Sequence, residues 1–178
     1  MDSVVFRRID PDDEQLFSTI DRSEVIDGRY STVDGRLVLE PFHHVVTGWY
    51  PSEIVDHSAH ILELIGQGGS AFGAWDGDAL VGIAALDTTG VGGDRTVMQL
   101  EPLHVSAPYR NRGVGKTLVA MVANAARSLG ATRLYISSIP NRNAVEAYFR
   151  MGGTLASPPD PTLLEREPED IHLVIALD

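Results

Sequence analysis

The 178-residue sequence predicts a single α/β domain with a mixed central sheet of about six or seven strands and about four flanking helices. Two observations predict this class. Segments of alternating or continuous apolar residues, typical of strands, recur between segments whose apolar residues keep helical spacing. The length also suits one compact domain that can bury a sizeable core.

The first third of the chain predicts a strand, a helix, a hairpin and a second helix. Residues 4–9 indicate an opening strand, and the Asp-Pro-Asp-Asp-Glu run that follows is typical of a helix start. We expect that helix to end at about Asp21. An Asp-Gly pair at residues 34–35 predicts a two-residue hairpin turn. From Pro51, apolar residues at helical spacing predict a helix that ends at the glycines of residues 66–69.

The rest of the chain predicts more strands than helices. Its closing segment is almost wholly apolar, which is typical of a strand buried on both faces. Strands are expected at residues 71–75, 80–86, 97–105, 134–137 and 171–177, helices at 114–129 and 141–151, and an acidic, proline-containing connection at 157–170.

Composition limits what the chain can bind. With 14 Lys and Arg against 25 Asp and Glu, its formal net charge is −11, which argues against general binding of nucleic acids or anionic membranes. Cysteine is absent, which excludes disulfides, thiolate metal sites and cysteine nucleophiles. The longest apolar run, residues 79–86, is far shorter than the roughly 20 residues of a spanning helix, and no signal peptide is evident. We therefore expect a cytoplasmic protein with no nucleic-acid or membrane partner and no bound metal.

A strand that leads through a glycine-containing turn into a helix predicts a phosphate site. Gly113 and Gly115 let the backbone approach a ligand closely, and the unpaired N–H groups of a helix start suit a phosphate or pyrophosphate. Arg110, Arg112 and Lys116 form the densest basic cluster in this acidic chain.

Two common phosphate-binding motifs fail at this turn. The P-loop pattern G-x-x-x-x-G-K-[ST] is met at residues 115–117 but requires glycine where Arg110 stands. The dinucleotide pattern G-x-G-x-x-G requires glycine where Leu118 stands. A third pattern, [QR]-x-x-G-x-[GA], is met in full by Arg110-Asn111-Arg112-Gly113-Val114-Gly115.

This hexapeptide resembles the acetyl-CoA pyrophosphate loop of the GNAT superfamily of N-acetyltransferases. Residues 141–152 resemble the family's N-x-x-A-x-x-x-Y-x-x-x-G helix and lie at the right distance, after one helix and one strand. The two motifs cover roughly residues 97–152. The resemblance implies one GNAT-like domain over residues 1–178, with a splay at the strand that holds the cofactor, and an acyltransferase that uses acetyl-CoA.

The resemblance also implies a role for each matching residue toward acetyl-CoA. The backbone of Leu103 and Val105 would pair with the pantetheine arm as if it were another strand. The amides of residues 112–116 would hold the pyrophosphate, and Asn141 would cap the later helix and contact the pantetheine. The implied cofactor-binding set is Leu103, Val105, Arg110, Asn111, Arg112, Gly113, Val114, Gly115, Lys116 and Asn141.

Acetyl transfer to an amine needs a base for the amine and a proton for the leaving thiolate. Tyr148 falls on the family's tyrosine, and its phenol has a pKa close enough to that of a thiol to supply the proton. Glu101 is the first choice of base, because it shares a face with residues 103 and 105 if no bulge intervenes. His104 is the second choice, although it should point to the opposite face unless Pro102 shifts the register.

The acceptor side is less defined by the sequence. We expect an insertion at roughly residues 22–50 to line it, and the excess of acids favours a cationic amine. His57 and His60 predict a polar helix face more than a metal pair, and residues 43–44 are expected in a loop. Trp49 either lines the pocket or anchors the second helix. The candidate liners are Arg22, Glu24, Tyr30, Glu40 and Trp49.

The leading hypothesis is an N-acetyltransferase in which a primary amine attacks acetyl-CoA directly within a ternary complex. The amine belongs to a small molecule, a peptide or a protein, and a homodimer is left open. The alternative is a module that binds acyl-CoA as a sensor or regulator without turnover. A P-loop nucleotide hydrolase is disfavoured by the missing first glycine.

Overall fold

The computed structural model describes residues 4–177. Within this range the first predicted helix is a 3₁₀ helix, Pro11–Thr19. The helices are α1 (Pro51–Gly66), α2 (Val114–Ser128), α3 (Arg142–Arg150) and α4 (Pro161–Arg166). The strands are β1 (Val4–Arg8), β2 (Glu24–Val33), β3 (Arg36–Val46), β4 (Ser70–Asp76), β5 (Ala79–Asp87), β6 (Val97–Val105), β7 (Arg133–Ser138), β8 (Thr154–Leu155) and β9 (Ile171–Ala176).

Seven of these strands form one mixed sheet in the order β1-β4-β5-β6-β7-β9-β8. Only the β6–β7 pair is parallel among the described strands, and the other neighbours are antiparallel. β2 and β3 form a separate ribbon whose turn holds Asp34 and Gly35 at φ of 49° and 73°, as a two-residue hairpin requires. The predicted α/β class with a mixed sheet is confirmed.

The sheet buries a different apolar cluster on each face. α2 and α3 pack on one face, where Leu118 and Val145 are fully buried. The 3₁₀ helix and α1 cover β4 and β5 on the other face, around Phe17 and Ile61. α4 packs beside them through Leu163, which contacts Val97 and Tyr135 in a third, smaller cluster. No helix in the described part of the chain is long and apolar enough to cross a bilayer.

Two local predictions are wrong. Residues 157–170 contain α4, which forms because the Asp160 carboxylate accepts a hydrogen bond from the Leu163 amide at 3.0 Å and Leu163 is buried against the sheet. His43 and His44 lie in strand β3 instead of a loop. Both errors arise because the segments are polar, and only contacts distant in sequence define them as regular structure.

β6 separates from β7 after three residue pairs, the last of which joins Gln99 to Tyr135. On its other side β6 stays paired with β5 as far as Val105. The register between β5 and β6 shifts by one residue after Leu100, so a bulge contains Glu101 and Pro102. The later half of β6 therefore has one edge that no described strand covers, which confirms the predicted splay.

Candidate active site

The turn before α2 presents unpaired backbone amides. Gly113 is the N-cap residue and has a φ of 85°, a conformation that strongly favours glycine. The first helical hydrogen bond runs from the Thr117 amide to the Gly113 carbonyl at 2.9 Å. The amides of Val114, Gly115 and Lys116 therefore have no acceptor within the helix and point out of its start.

The space beside these amides is open. A Cβ atom added to Gly115 would lie 3.5 Å from Val105 Cγ2, an ordinary contact, so protein packing does not require glycine there. Arg112 and Lys116 are exposed, and neither makes a hydrogen bond or ion pair to another residue within 4–177. A pyrophosphate bound at a helix start needs free backbone amides, nearby positive charge and open space. The turn provides all three, through its unpaired amides, through Arg112 and Lys116, and through the lack of a side chain at Gly115.

Arg110 has a different position from the other two cations of the turn. Its Nε donates to the Val105 carbonyl at 2.9 Å and its Nη1 to the Ser23 carbonyl at 2.8 Å. The guanidinium thus ties the turn to the end of β6 and to the segment that leads into β2. Asn111, next along the chain, adopts a left-handed φ of 59° and is exposed.

The open edge of β6 carries the backbone groups of Leu103 and Val105. The Ser106 amide donates to the Val81 carbonyl at 2.8 Å, and hydrogen-bonded pairs alternate along an antiparallel ladder. His104 therefore pairs with β5, while the N–H and C=O groups of Leu103 and Val105 face away from it. Except for the Val105 carbonyl that Arg110 occupies, these groups are available to an extended ligand.

The bulge changes which β6 side chains share a face. Glu101 and His104 both point toward α1, where Glu101 meets His60 and His104 meets His57. The side chains at 103 and 105 pack against the α2 cluster on the opposite face. Glu101 therefore does not share the face of residues 103 and 105, because the bulge interrupts the alternation, whereas His104 lies opposite them as the alternation predicts.

Glu101 lies at the junction between α1 and α4. Its Oε1 is 3.0 Å from His60 Nε2, in the geometry of an ion pair rather than an aligned hydrogen bond, and its Oε2 is 3.7 Å from Arg166 Nη2. Burial raises the pKa of Glu101, although His60 and Arg166 oppose that effect. A carboxylate with a raised pKa is a better proton acceptor than a free one.

His104 forms an aromatic cluster with Trp49 and His57, with ring centroids 5.0–5.2 Å apart. Its Nε2 is buried and has no hydrogen-bond partner among the described residues. Burial, together with the nearby charges of His57 and Arg22, lowers the pKa of His104 to about 3. The imidazole is therefore neutral near pH 7 and a weak base.

Tyr148 and Asn141 lie at the two ends of α3. Tyr148 is 8% exposed, its hydroxyl makes no hydrogen bond to another described residue, and burial raises the pKa of its phenol. Asn141 occupies the N-cap position, and its carbonyl accepts from the Val145 amide at 3.1 Å. Asn141 thus caps α3 by position, as predicted, but its side chain forms no capping hydrogen bond and is left for a ligand.

The segment predicted to line the acceptor site contributes two residues near His104. Arg22 pairs with Glu53 at 2.8 Å and lies over the Trp49 ring at 4.8 Å. Trp49 also donates from Nε1 to the Ile20 carbonyl at 2.7 Å, which anchors the start of α1. Of the other three candidates, Glu24 accepts a hydrogen bond from Asn143 at 3.0 Å, Tyr30 is half-buried against the α2 cluster, and Glu40 is exposed.

Sequence reasoning missed the row of α1 side chains that faces β6. Glu53, His57 and His60 recur at helical spacing and therefore share one face of α1. That periodicity was the available signal. It could not show that the face meets Glu101 and His104, because the pairing of α1 with the β6 bulge is a long-range contact.

Comparison with known proteins gives a family match along most of the chain. A profile of the acetyltransferase (GNAT) family matches residues 39–152, which include both motifs and the whole of β6. No curated protein matches the chain significantly.

Solved structures of acetyltransferases share the fold. A nourseothricin acetyltransferase is 22% identical over 99% of each chain, with a TM-score of 0.73. A Bacillus anthracis protein described as a streptothricin acetyltransferase, solved with acetyl coenzyme A, is 18% identical over 99% of each chain, with a TM-score of 0.76. An aminoglycoside 6'-N-acetyltransferase complexed with coenzyme A is 20% identical over 72% of this chain and 84% of its own, with a TM-score of 0.57.

The environment of His104 predicts a pH-dependent stability. An unfolded imidazole titrates near pH 6.5, whereas in the fold the pKa is lowered to about 3, so the unfolded state binds more protons in between. We expect the contribution of His104 to the free energy of unfolding to be intact above pH ~6.5 and to be lost as the pH falls toward ~3. Urea unfolding at a series of pH values measures this. His104→Asn should show a shallower loss than wild type, and an equal slope would contradict the assignment.

Proposed function

The chain belongs to the GNAT family of acetyltransferases, and we propose that it transfers an acetyl group from acetyl-CoA to a primary amine by direct attack in a ternary complex. One observation carries the proposal: the open edge of β6 leads directly to the free amides and unpaired cations at the start of α2. The pantetheine arm of acetyl-CoA would pair with the open edge of β6, and its pyrophosphate would then lie at the start of α2.

The cofactor would be held mainly by backbone groups. Leu103 and the Val105 amide would pair with the pantetheine arm, and the amides of residues 112–116 would bind the pyrophosphate. Arg112, Val114, Gly115 and Lys116 fit this role as they stand. Arg110 and Asn111 would act by fixing the shape of the turn, and the free Asn141 side chain would reach the pantetheine.

Glu101 would be the base that removes the proton from the acceptor amine. An alkylammonium group, with a pKa of about 10, is not a nucleophile until it loses that proton. Burial raises the pKa of Glu101, so its carboxylate holds a transferred proton better than His104, whose pKa of about 3 makes it a poor acceptor. His104 would instead form part of the wall that the acceptor approaches.

Tyr148 would serve the leaving thiolate. When bound, acetyl-CoA supplies the acetyl carbon, so that an N–C bond forms as the C–S bond breaks. Burial raises the pKa of Tyr148, which keeps it as a phenol able to donate a hydrogen bond to the sulfur. The same shift makes complete proton transfer costlier than the free phenol value of about 10 implies. Tyr148 would therefore stabilise the leaving thiolate mainly by donating a hydrogen bond to its sulfur.

A cationic amine is the acceptor class that the chain's charge supports. The net charge of −11 disfavours anionic acceptors, and one structurally similar protein is named as an aminoglycoside 6'-N-acetyltransferase.

The cofactor site is tested by Gly115→Glu. A carboxylate at this position would fill the open space and repel a pyrophosphate, so we expect acetyl-CoA binding to weaken at least about 100-fold, or ~2.7 kcal/mol. Calorimetric titration measures the affinity. Ala120→Glu adds the same charge on an exposed position of α2 and should leave the affinity within about twofold. Unchanged affinity in Gly115→Glu would place the cofactor elsewhere.

The base is tested by Glu101→Gln. Without the carboxylate the amine must deprotonate in solution, so we expect kcat/KM near pH 7 to fall by about 10²–10⁴. The loss should shrink as the pH rises toward the amine pKa of about 10. Release of the free CoA thiol across a pH series measures both effects. Glu165→Gln removes an exposed carboxylate from α4 and serves as the control; a Glu101→Gln profile parallel to wild type would transfer the role to another group.

The role of Tyr148 is tested by Tyr148→Phe, which removes the hydroxyl and keeps the ring in the core. We expect kcat to fall by about 10-fold or more, because a hydrogen bond to a charged group contributes about 1.5–3 kcal/mol. The dissociation constant of acetyl-CoA should change less than about threefold. Steady-state kinetics beside calorimetry separates the two quantities, and a wild-type kcat would remove Tyr148 from the mechanism.

A further inference from the structure

A cavity of about 380 Å³ lies between the loop that follows β5 and helix α4. The glycine-rich stretch at residues 90–93 forms one wall, and Asp160 and Arg166 from the α4 side form another. Arg166 also contacts Glu101 at 3.7 Å, so the cavity adjoins the proposed base. The ribbon of β2 and β3, which the sequence suggested as the acceptor side, contributes none of the residues that line it.

Gln99 forms part of the cavity wall and is the observation that points to a ligand. The residue is only 6% exposed, and its side-chain amide makes no hydrogen bond to another residue within 4–177. The amide atoms of Gln99 are not among the fully shielded, unpartnered polar atoms of the described residues, so the exposed part of the side chain opens into the cavity. Gln99 pairs with Asp87 across the ladder and precedes Glu101 by two residues on β6. An amide with no protein partner therefore faces the cavity, close to the proposed base.

The charge that remains free in this cavity is negative. Asp87 accepts the Thr89 amide at 2.7 Å and Asp160 accepts the Leu163 amide at 3.0 Å, each through Oδ1. The second oxygen of each carboxylate is not used in these bonds. The positive charge of Arg166 is shared between Glu101 and Glu167, at 3.7 and 3.6 Å.

Glycine at position 92 keeps one of these carboxylates in place. A Cβ atom on Gly92 would come within 2.9 Å of Asp160 Oδ2, and its φ of 60° also favours glycine. The loop thus passes close over the carboxylate without a side chain between them. This geometry holds the second oxygen of Asp160 against the wall of the cavity.

We propose that this cavity binds the distal part of the acceptor, and that the acceptor is a dicationic or polycationic amine. One ammonium group would sit between Asp87 and Asp160 while Gln99 hydrogen-bonds a nearby polar group. The reacting amine would lie at Glu101, two strand residues or roughly 7 Å farther along β6. This inference rests on the proposed acetyl transfer, since it names the substrate class of the same site.

The test measures binding of 1,4-diaminobutane and spermidine to the protein saturated with CoA, with n-butylamine as the monocation. We expect a polycation to bind 1:1 and at least tenfold more tightly than n-butylamine. Asp87→Asn and Asp160→Asn should each lower the ratio of polycation affinity to n-butylamine affinity by about fivefold or more. Asparagine keeps the hydrogen bonds to the Thr89 and Leu163 amides but loses the negative charge. Gln99→Met should weaken polycation binding and preserve side-chain volume.

Glu165→Gln, on the exposed face of α4, is the matched control and should leave the preference unchanged. The proposal is overturned if no polycation is preferred, if the cavity variants bind polycations as wild type does, or if they lose both amine classes equally. CoA affinity is measured on every variant. Normal CoA binding with turnover of amines, but no effect of the cavity variants, would refute this inference alone. Absence of acetyl-CoA binding would refute the proposed function.

Discussion

The organisation of the site depends on one constraint on backbone hydrogen bonding. A strand inside a sheet normally pairs along both edges, because unpaired N–H and C=O groups away from water are costly. β6 pairs with β7 over only three residue pairs and then continues with β5 as its one neighbour, with a bulge just after β6 and β7 separate. Its later half therefore presents a row of polar groups that water or an extended ligand must satisfy. The turn into α2, with its own unpaired amides, continues that row.

The bulge also divides the chemistry between the two faces of the sheet. On the α2 and α3 face lie the buried phenol of Tyr148 and the apolar side chains of β6. On the α1 and α4 face lie Glu101, the two histidines of α1 and the cavity beside Gln99. In the proposed reaction, the leaving thiolate and the attacking amine would thus reach the point where β6 and β7 separate from opposite faces of the sheet. The acidic side chains of the second face come from several elements: Asp87 from the end of β5, Glu101 from β6 and Asp160 from the start of α4.

Much of this arrangement could be predicted from the sequence, because its signals are local. The Asp-Gly turn of the ribbon, the glycine turn before α2 and the spacing of the α3 motif each lie within a dozen residues and were found. The remaining features depend on partners far apart in the chain. The bulge turns the Glu101 side chain to the opposite face of the sheet, and α4 is stabilised because Leu163 packs against the sheet. His60 contacts Glu101 although it lies 41 residues earlier in the chain, in α1. Pro102 indicated an irregularity in β6, but the sequence could not show which side chains would move to the other face of the sheet.

The bonds around Arg110 have a consequence for how binding at two separate surfaces is coupled. The guanidinium joins the turn before α2 to Ser23, and the Ala107 amide donates to the Asp21 carbonyl at 2.9 Å, so the turn and the start of the β2–β3 ribbon are one connected unit. A ligand that orders the turn also restrains the ribbon. By thermodynamic reciprocity, a molecule that binds the restrained ribbon more tightly must in turn raise the affinity of the turn for its own ligand. The turn and the ribbon would therefore respond as one unit, and each ligand would raise the affinity for the other by the same factor.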